Sequence, residues 1–561
     1  MPDTAVPSLN IHEWEIWHTY CTYLLTGAID LDFAARMLVE YGLALCSVLE
    51  DGRVYWSSGS MIGSGTTIMN RQPYADEAGF DFRPDPGCRI PLRGFAAESW
   101  GQACKFRFSE KRLFGEDRAL PQPYVRAYLG RCNLVSKEEP QIEIGMYPVL
   151  SIYESGVVLL ELRTISPNFP VPLDLFVSSC VNLFRFAFDR IEAPPGLAKL
   201  ATRAYYHSRK DMTFLDRALL VWLERKHDET VRRLTQPHKA GDFTFHLAPL
   251  SGGDSASPCE NLLTFALTLF HTVAFALGRP RSGVEFLLRG QRCTPQLGNY
   301  WSGRPHIYLT RFEGQCATAS ENEFRHGDAF RAILARVPNC GSTTVKLQLP
   351  RSSRLFEDFS AYVTSAASLW VWSKGGLERS RSWTDSNRGH LIYEQQAEME
   401  LLEYGYMLHR SFLERVERYG NSNEVVFAQK LLLRLQLEMN EVSYFGEIRD
   451  LLDHGWHELR LPELRALIQQ ALSLRDTQIR ASDERLTAKI GQALTIVFGL
   501  VAVPALADQV VQPLWEVLGI RHPEGGALFK IAADGISLAF IMVIVALLMK
   551  WLGASKPKDS N

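Results

Sequence analysis

The spacing of hydrophobic and polar positions changes several times along this 561-residue chain. Over His12–Leu49 the apolar residues recur at helical spacing, which predicts helix there. The chain then alternates strand-like runs with Gly- and Pro-rich turns as far as Pro195. Two of these runs, Met146–Ile152 and Val157–Leu162, predict a β-hairpin, because Gly156 between them can supply the positive φ of the turn.

A second segment, Leu197–Val371, alternates strand-like and helical patterns, which predicts an α/β or α+β domain. Its strand candidates are Phe243–Leu247, Val284–Leu288, His306–Arg311, Thr344–Leu349 and Ser368–Trp372. Beyond Asp385 the pattern becomes almost continuously helical. The predicted helices are Leu391–Tyr419, Glu424–Leu452 and Leu461–Ala507, with a break expected around His454 and His457.

Two apolar stretches near the C-terminus, Ile490–Ala507 and Ile531–Leu552, predict a transmembrane helix hairpin. Their lengths are close to the roughly 17–25 apolar residues that a membrane-crossing helix needs. Basic residues bracket the pair, with Lys489 before the first stretch and Lys550 after the second. The alternative is that both stretches are buried core helices.

Charge beside the two stretches predicts their orientation. The outer flanks carry Arg475, Arg480, Arg485, Lys489, Lys550, Lys556 and Lys558, whereas the connecting loop carries only Arg521 and Lys530. By the positive-inside tendency, both termini would be cytoplasmic and the protein would lie in the inner (plasma) membrane as a multi-pass protein.

These patterns together predict an α+β (or α/β) cytosolic region followed by a long helical stalk and a C-terminal transmembrane helix hairpin. The predicted divisions are an N-terminal α+β domain at 1–195, a second α/β domain at 196–384, a helical stalk at 385–489, the hairpin at 490–552 and a short basic tail at 553–561.

Polar residues within the first apolar stretch are candidates for pore lining or helix packing, because intramembrane polar groups usually face a partner helix or a pore. Gln492, Thr495 and Gly499 fall near one face of the helix. Pro504 would loosen the outer end of the stretch, and Asp508 lies just beyond it.

Composition narrows the classes further. The chain is 46% hydrophobic and 22% charged, which is typical of a globular protein with a modest membrane part. A net charge of −3 provides no overall attraction to nucleic acid. The ten cysteines contain no Cys-x-x-Cys pair, which argues against zinc ribbons and thioredoxin-like chemistry.

Motifs for catalysis, cofactors or metals are not found. The sequence has no Gly-x-Ser-x-Gly elbow and no His-Glu-x-x-His. The Gly-rich stretch Ser58–Thr67 follows a strand-like run and has two interpretations, a phosphate-cradling loop or a flexible turn, and it lacks the P-loop lysine. We therefore predict no catalytic residue, no cofactor and no metal, and leave the ligand-binding residues unassigned.

The helical C-terminal part resembles the CorA-type divalent-cation channels. The matching residues are Leu494-Thr495-Ile496 early in the first stretch, Pro504 later in it, and Lys550-Trp551-Leu552 after the second. The resemblance implies a homo-oligomer, typically a pentamer, in which the first span lines a pore. The Gly-Met-Asn signature of that family is absent; the nearest triplet is Gly519-Ile520-Arg521, whose arginine would oppose the entry of a cation.

The functional hypothesis is an oligomeric CorA-like membrane protein in which a cytosolic sensor controls a transmembrane pore or membrane perturbation, for ion transport or as a stress or antiviral effector. The expected partners are the lipid bilayer, further copies of the chain, and an unidentified small molecule or protein. The alternative is a membrane-anchored binding or scaffold module. A third class, an enzyme, would have its active site within Leu197–Val371.

Overall fold

A computed structural model gives the fold. It describes residues 9–518 except for 26–27, 59–60, 72–77, 116–121, 137–142, 168, 187, 195, 198–199, 202–203, 205–242, 246–260, 281–291, 294, 339–347 and 382–384, and beyond 518 it describes 526–528, 531–532, 534–540 and 542–543. The chain divides into two compact units. The larger is Met1–Arg418 with Ala428–Gln470, and the smaller is Tyr419–Phe427 with Ala471–Asn561.

Most strands belong to one broad sheet in the larger unit. The described strands are β1 (Asn10–Tyr23), β2 (Cys46–Leu49), β3 (Arg53–Ser58), β4 (Met61–Arg71), β5 (Ala78–Pro84), β6 (Tyr124–Tyr128), β7 (Cys132–Ser136), β8 (Glu143–Tyr153), β9 (Val157–Ile165), β10 (Val171–Pro172), β11 (Phe188–Ala193), β12 (Phe243–Phe245), β13 (Arg279–Pro280), β14 (Arg292–Cys293), β15 (Pro305–Phe312), β16 (Phe359–Val363) and β17 (Ser368–Trp372).

The main path of this sheet runs in the order β16-β17-β15-β1-β9-β8-β6-β2-β3-β4-β5. On its flanks, β10 pairs with β1, β7 joins β8 to β11, and β11 pairs with β12, while β13 and β14 form a separate pair. Among the described pairings, β15 with β17 is parallel, and the others are antiparallel.

Helices cover both faces of the sheet and form most of the C-terminal part. The longer described α-helices are α1 (Leu31–Glu40), α2 (Phe95–Phe114), α3 (Leu262–Ala276), α4 (Ala319–Ala335), α5 (Lys374–Arg381), α6 (Asp385–Arg415), α7 (Ser422–Asn440), α8 (Gly446–Glu458), α9 (Leu461–Leu506) and α10 (Gln512–Val517). Short helical segments lie at Leu173–Leu175, Phe176–Val181, Leu183–Arg185, Val416–Arg418 and Ala507–Val511.

The helix predicted over His12–Leu49 is wrong except at Leu31–Glu40, and its last residues, Cys46–Leu49, form strand β2. Residues Asn10–Tyr23 form the long strand β1, which pairs with β9 on one side and with β15 on the other. Its Trp, Ile, Tyr and Thr side chains favour extended backbone, and they are buried when the strand pairs on both sides. Helix begins only at Leu31, where the Asp30 side chain accepts a hydrogen bond from the Phe33 amide.

Several strand predictions are confirmed. β8 and β9 form the expected hairpin, and Gly156 in its turn has φ 90°. Strands also occupy the predicted positions of β12, β15 and β17. The candidate Val284–Leu288 and most of Thr344–Leu349 lie outside the described residues.

The Gly-rich stretch is neither a phosphate cradle nor a turn over its described part. Residues from Met61 belong to β4, which pairs antiparallel with β3. A Cβ at Gly63 would overlap the indole ring of Trp56, and one at Gly65 would overlap Phe82. These glycines therefore let two aromatic rings lie directly on the strand backbone.

The C-terminal helices agree only in part with the prediction. The long helix α9 is confirmed. The predicted helix Glu424–Leu452 is instead two helices, α7 and α8, and α8 continues through the expected break at His454. The break lies earlier, at residues 441–445, where the Ser443 hydroxyl accepts a hydrogen bond from the Phe445 amide.

The predicted transmembrane hairpin is wrong. Among the described residues, no helix is both long and apolar enough to cross a membrane. α9 remains charged up to Lys489 and gives way to π-helical backbone at Ala507, so its apolar part is shorter than the roughly 20 residues that a span needs. Within Ile531–Leu552, the longest described helical run is 534–540, and 544–552 lie outside the described residues. The predicted multi-pass location in the inner membrane is wrong with it.

Candidate functional site

Strand alternation gives the sheet two different faces. On β15 and β17, Ile307 and Leu369 join an apolar cluster that includes Phe330 of α4. His306 and Ser368 directly precede these two residues and point to the opposite face of the sheet, because successive side chains of a strand alternate. That opposite face is covered by α6.

A cavity of about 400 Å³ lies at the β16–β17 end of this face, and we call it the aromatic cavity. It is bounded by β16, β17, the preceding loop and helices α2, α5, α6 and α8. The residues that line it and that carry charge or an aromatic ring are Arg112, Arg354, Phe356, Asp358, Phe359, Trp370, Trp372, Arg379, Glu394, Glu398, Phe445 and Glu447.

One wall of the aromatic cavity is made of indole and phenyl rings. Trp370 and Trp372 are two residues apart on β17 and therefore lie on the same face of the sheet. Phe359 is paired with Trp372 across the two strands, with ring centroids 4.9 Å apart. Trp370 stacks on Tyr308 of β15 at 5.0 Å. Each indole of this wall therefore packs against another aromatic ring.

The facing wall is acidic and belongs to α6. Glu394 and Glu398 are four residues apart and share a helix face. Glu394 pairs with Arg112 of α2 at 3.3 Å, and burial raises the pKa of its carboxyl. Burial also raises the pKa of Glu398 to about 8, and the nearby Glu394 carboxylate adds to the shift. Among the described residues, Glu398 has no ion-pair or hydrogen-bond partner.

The arginine next to this wall is already neutralised. Arg354 donates from Nε and Nη2 to the two carboxylate oxygens of Asp358, at 2.9 and 2.6 Å. Its Nη1 donates to Glu447 of α8 at 3.0 Å. The guanidinium plane lies 4.4 Å from the Phe359 ring centroid. Because it is already paired with two carboxylates, the Arg354 guanidinium only partly opposes the raised pKa of Glu398.

A buried charge network holds α6 on the sheet beside the aromatic cavity. Arg126 of β6 donates to Glu161 of β9 at 2.9 Å and to Glu400 of α6. Burial raises the pKa of Glu161 well above its usual range, and the neighbouring Glu400 carboxylate adds to it. Tyr308 donates to Gln396 at 2.8 Å. α6 is therefore positioned by directional polar contacts, which specify its register more sharply than apolar packing alone.

Three residues between α6 and the sheet are arranged like the nucleophile, base and acid of a catalytic triad. The His306 ring lies 2.6 Å from Ser368 Oγ through Nδ1, and 3.0 Å from Glu403 through Nε2. All three side chains are fully buried, and none of them lines the aromatic cavity. A nucleophile must reach its substrate, so we interpret this triad as a structural contact between α6 and the sheet.

The residues predicted as pore-lining or helix-packing candidates lie in the smaller unit, and none of them lines the aromatic cavity. They are Gln492, Thr495, Gly499, Pro504 and Asp508. Gln492 and Thr495 are exposed on α9, and Thr495 donates a hydrogen bond to the Gly491 carbonyl of its own helix at 2.8 Å. Gly499 is half-buried, Pro504 lies inside α9, and Asp508 is exposed in a π-helical turn.

Sequence reasoning missed every residue of the aromatic cavity. Two signals were available. Trp370 and Trp372 alternate along a strand that was predicted correctly. Glu394 and Glu398 place like charges four residues apart, which destabilises an exposed helix and so marks a special environment. Neither signal could indicate that the strand and the helix face each other.

Metal chemistry finds no support among the described residues, where no group of three or more His, Cys, Asp or Glu side chains could hold an ion. No protein-family model matches the chain, and neither a curated protein nor a solved structure matches it. Function is therefore inferred from the geometry of the aromatic cavity.

Proposed function

We propose that the larger unit is a binding module that senses a small organic cation in the aromatic cavity. The observation that carries this proposal is the buried carboxyl of Glu398, which makes no ion pair or hydrogen bond among the described residues and lines the same cavity as Trp370 and Trp372. The volume of about 400 Å³ suits a small molecule. An ammonium or guanidinium group gains about 0.5–2 kcal/mol over an indole face.

Charge balance favours a cation over an anion. Arg354 is held by two carboxylates and Arg112 by one, so these two guanidinium groups are neutralised, and the third lining arginine, Arg379, is exposed. A cation would instead pair with the Glu398 carboxylate once its proton is released. For a ligand with N–H donors, such as agmatine, a hydrogen bond to an ionised carboxylate contributes about 1.5–3 kcal/mol. Together with the indole contact the sum is about 2–5 kcal/mol, which corresponds to binding in the millimolar range.

α8 connects the aromatic cavity to the beginning of α9. Glu447 and Leu451 of α8 line the aromatic cavity. α8 is joined to α9 by Leu459 and Arg460 alone, and Arg460 has a left-handed φ of 55°. A ligand that shifts α8 therefore acts on the beginning of α9 through this short connection, as a ligand-biased switch requires.

This proposal keeps the sensor of the sequence-based hypothesis and omits its membrane part. The small-molecule ligand is now given a chemical class. The CorA resemblance, the homo-oligomer and the stress or antiviral role stay predictions.

The test is a binding screen on the full chain by isothermal titration calorimetry and thermal unfolding. The probes are tetramethylammonium, choline and agmatine, with 3,3-dimethylbutanol as the neutral isostere of choline. At about pH 8.5, where Glu398 is mostly ionised, we expect a cation to bind and the isostere not to bind, and we expect Glu398→Gln to weaken binding roughly 10- to 100-fold. Glu378→Gln, an exposed glutamate of α5 that does not line the cavity, is the matched control. If no cation binds more tightly than the isostere, the proposal fails.

A further inference from the structure

The aromatic cavity reaches solvent at two phenylalanines, Phe356 and Phe445, which we call the apolar rim. Phe356 lies in the loop before β16, and Phe445 lies in the loop before α8. Both side chains line the cavity, although Phe356 is 63% exposed and Phe445 is 50% exposed. The mouth of the cavity is therefore apolar.

One carboxylate ties together the two loops that carry the apolar rim. Glu447 Oε1 accepts from Arg354 Nη1 at 3.0 Å and from the Leu355 amide at 3.2 Å. These two donors directly precede Phe356 in the chain, and Glu447 follows Phe445 by two residues. The position of the rim is thus set by a charge-assisted contact between the loops.

Stacked planar groups lead from the apolar rim to the indole wall. The Arg354 guanidinium lies 4.9 Å from the Phe356 ring centroid and 4.4 Å from the Phe359 ring centroid. The Phe359 ring in turn lies 4.9 Å from Trp372. Phe359 and Trp372 are buried, whereas Phe356 is mostly exposed. One wall of the cavity is therefore planar and largely apolar from its buried end to its mouth.

The carboxyl of Glu398 is buried, whereas the apolar rim is open to water. A small cation such as tetramethylammonium that pairs with Glu398 would leave Phe356 and Phe445 exposed. A cation with an alkyl or aryl tail covers these rings as well, and the removal of apolar surface from water is favourable roughly in proportion to its area. A basic side chain of a polypeptide would instead place a polar backbone against the rim.

Guanidinium groups near the mouth limit the ligand to one positive charge. The Arg354 guanidinium already lies on the Phe356 ring. Arg112 and Arg379 also line the cavity, and both are exposed. A second cation on the ligand would meet these like charges at the mouth, whereas an uncharged tail would not.

We propose, on the basis of the cation binding proposed above, that the ligand is a monocation with an uncharged alkyl or aryl tail. Its cationic head pairs with Glu398 beside the indole wall, and its tail lies on Phe356 and Phe445. The rim makes the site specific for such amphiphilic cations over small cations and over dications.

The test is isothermal titration calorimetry on the full chain at about pH 8.5, where Glu398 is mostly ionised. The ammonium probes are tetramethylammonium, butyltrimethylammonium and hexyltrimethylammonium. Hexamethonium is the dication on the same six-carbon chain, 1-hexanol is the uncharged chain, and a blocked tripeptide with a central arginine represents a polypeptide ligand.

Affinity should rise with the length of the tail. A methylene that leaves water completely gains about fourfold in affinity, and the rim stays partly open, so we expect about twofold per methylene and about 30-fold from tetramethylammonium to hexyltrimethylammonium. We expect hexamethonium and 1-hexanol each to bind at least about tenfold more weakly than hexyltrimethylammonium, because one places a charge at the mouth and the other lacks the cationic head.

Variants separate the tail from the head. The readout is the ratio of the affinities for hexyltrimethylammonium and tetramethylammonium within each variant. Phe356→Ser should lower this ratio to about ten or less, because one of the two rim rings is removed. Phe445→Ser should do the same, and it retains a favourable N-cap residue for α8, so it provides the measurement if Phe356→Ser does not fold. Phe324→Ser, at an exposed position of α4 that does not line the cavity, is the matched control and keeps the ratio. Glu398→Gln should weaken both ligands by the same factor and also keep the ratio.

The outcomes distinguish the tail from the proposed function itself. Equal affinity for the short and long ammonium ions, an unchanged ratio in Phe356→Ser and Phe445→Ser, or equally tight binding of hexamethonium overturns the assignment of the tail while cation binding stands. Tighter binding of the tripeptide than of hexyltrimethylammonium also overturns it, and identifies a basic side chain of a protein as the ligand. If 1-hexanol binds as tightly as hexyltrimethylammonium, or if no ammonium ion binds, the proposed function fails and the tail assignment fails with it.

Discussion

Glu398 makes the proposed cation site depend on pH in a defined direction. In the empty cavity its pKa is about 8, because burial and the neighbouring Glu394 carboxylate disfavour the charged form. The other charged groups facing the cavity are Asp358, Glu447, Arg112, Arg354 and Arg379. A cation binds best to the ionised carboxylate, so below about pH 8 each binding event must also release the Glu398 proton.

The size of this effect follows from the linkage between binding and ionisation. Each unit of pH below the pKa costs about 1.4 kcal/mol, or a factor of about ten in affinity. With a pKa of about 8, the ionised fraction of Glu398 rises about 50-fold from pH 6 to pH 8. We therefore expect the affinity for tetramethylammonium to rise about 50-fold over this range and to level off above about pH 9. The permanent charge of this probe removes the ionisation of the ligand from the measurement.

Calorimetry at about pH 6, 7 and 8 in buffers of different ionisation enthalpy measures both the affinity and the number of protons released. Glu398→Gln should bind weakly at every pH and release no proton, so that it approaches the wild type near pH 6. The reasoning is refuted if wild-type affinity is constant over this range, or if Glu398→Gln keeps the pH dependence.

The free energy of unfolding should change with pH in the opposite sense to the cation affinity. Because the pKa of Glu398 is raised in the folded state, the folded state binds this proton more tightly than the unfolded state does. The resulting stabilisation is present below about pH 4.5 and is lost as pH rises through 8.

Three further predictions concern the fold. Arg126→Met should lower the free energy of unfolding by about 3–5 kcal/mol, because it leaves Glu161 and Glu400 buried without their cation, and adding Glu161→Gln and Glu400→Gln should recover part of the loss in urea titrations. Gly63→Ala should cost at least about 1–3 kcal/mol because its Cβ would overlap Trp56, whereas Gly101→Ala, in open space on α2, should stabilise by about 0.5–1 kcal/mol; equal effects in the same titrations would contradict the packing argument. A fluorophosphonate serine probe should leave Ser368 unlabelled, because the side chain is fully buried, and labelling that disappears in Ser368→Ala would show that the triad is an active site after all.

Local structure was predictable wherever local pattern decides it. The hairpin of β8 and β9 needs a turn glycine and two alternating runs, and Gly156 supplies the positive φ. α9 has no proline between Pro462 and Pro504 and is one helix. The failures are equally physical. β1 was mistaken for helix because its apolar spacing fits both periods, and pairing with β9 and β15 decided the outcome.

The prediction of a transmembrane hairpin failed because an apolar run in the sequence does not show what surrounds it in the folded chain. Ile490–Ala507 is helical up to Leu506, yet the apolar part of α9 is too short for a span. The same limit applies to polar residues. Glu161 and Arg126 lie on the polar side of alternating strands, which by itself indicates a solvated face, but α6 covers that face and buries both.

By itself the sequence determined the extended runs of β8, β15 and β17, the helical C-terminal part and the lack of a recognisable catalytic motif, since these depend on neighbours a few residues apart. Only the tertiary structure decided the aromatic cavity. It brings Arg112, Trp370 and Glu398 together from α2, β17 and α6. The chemistry of each group follows from its burial and its partners, and both are set by packing between segments that are distant in the chain.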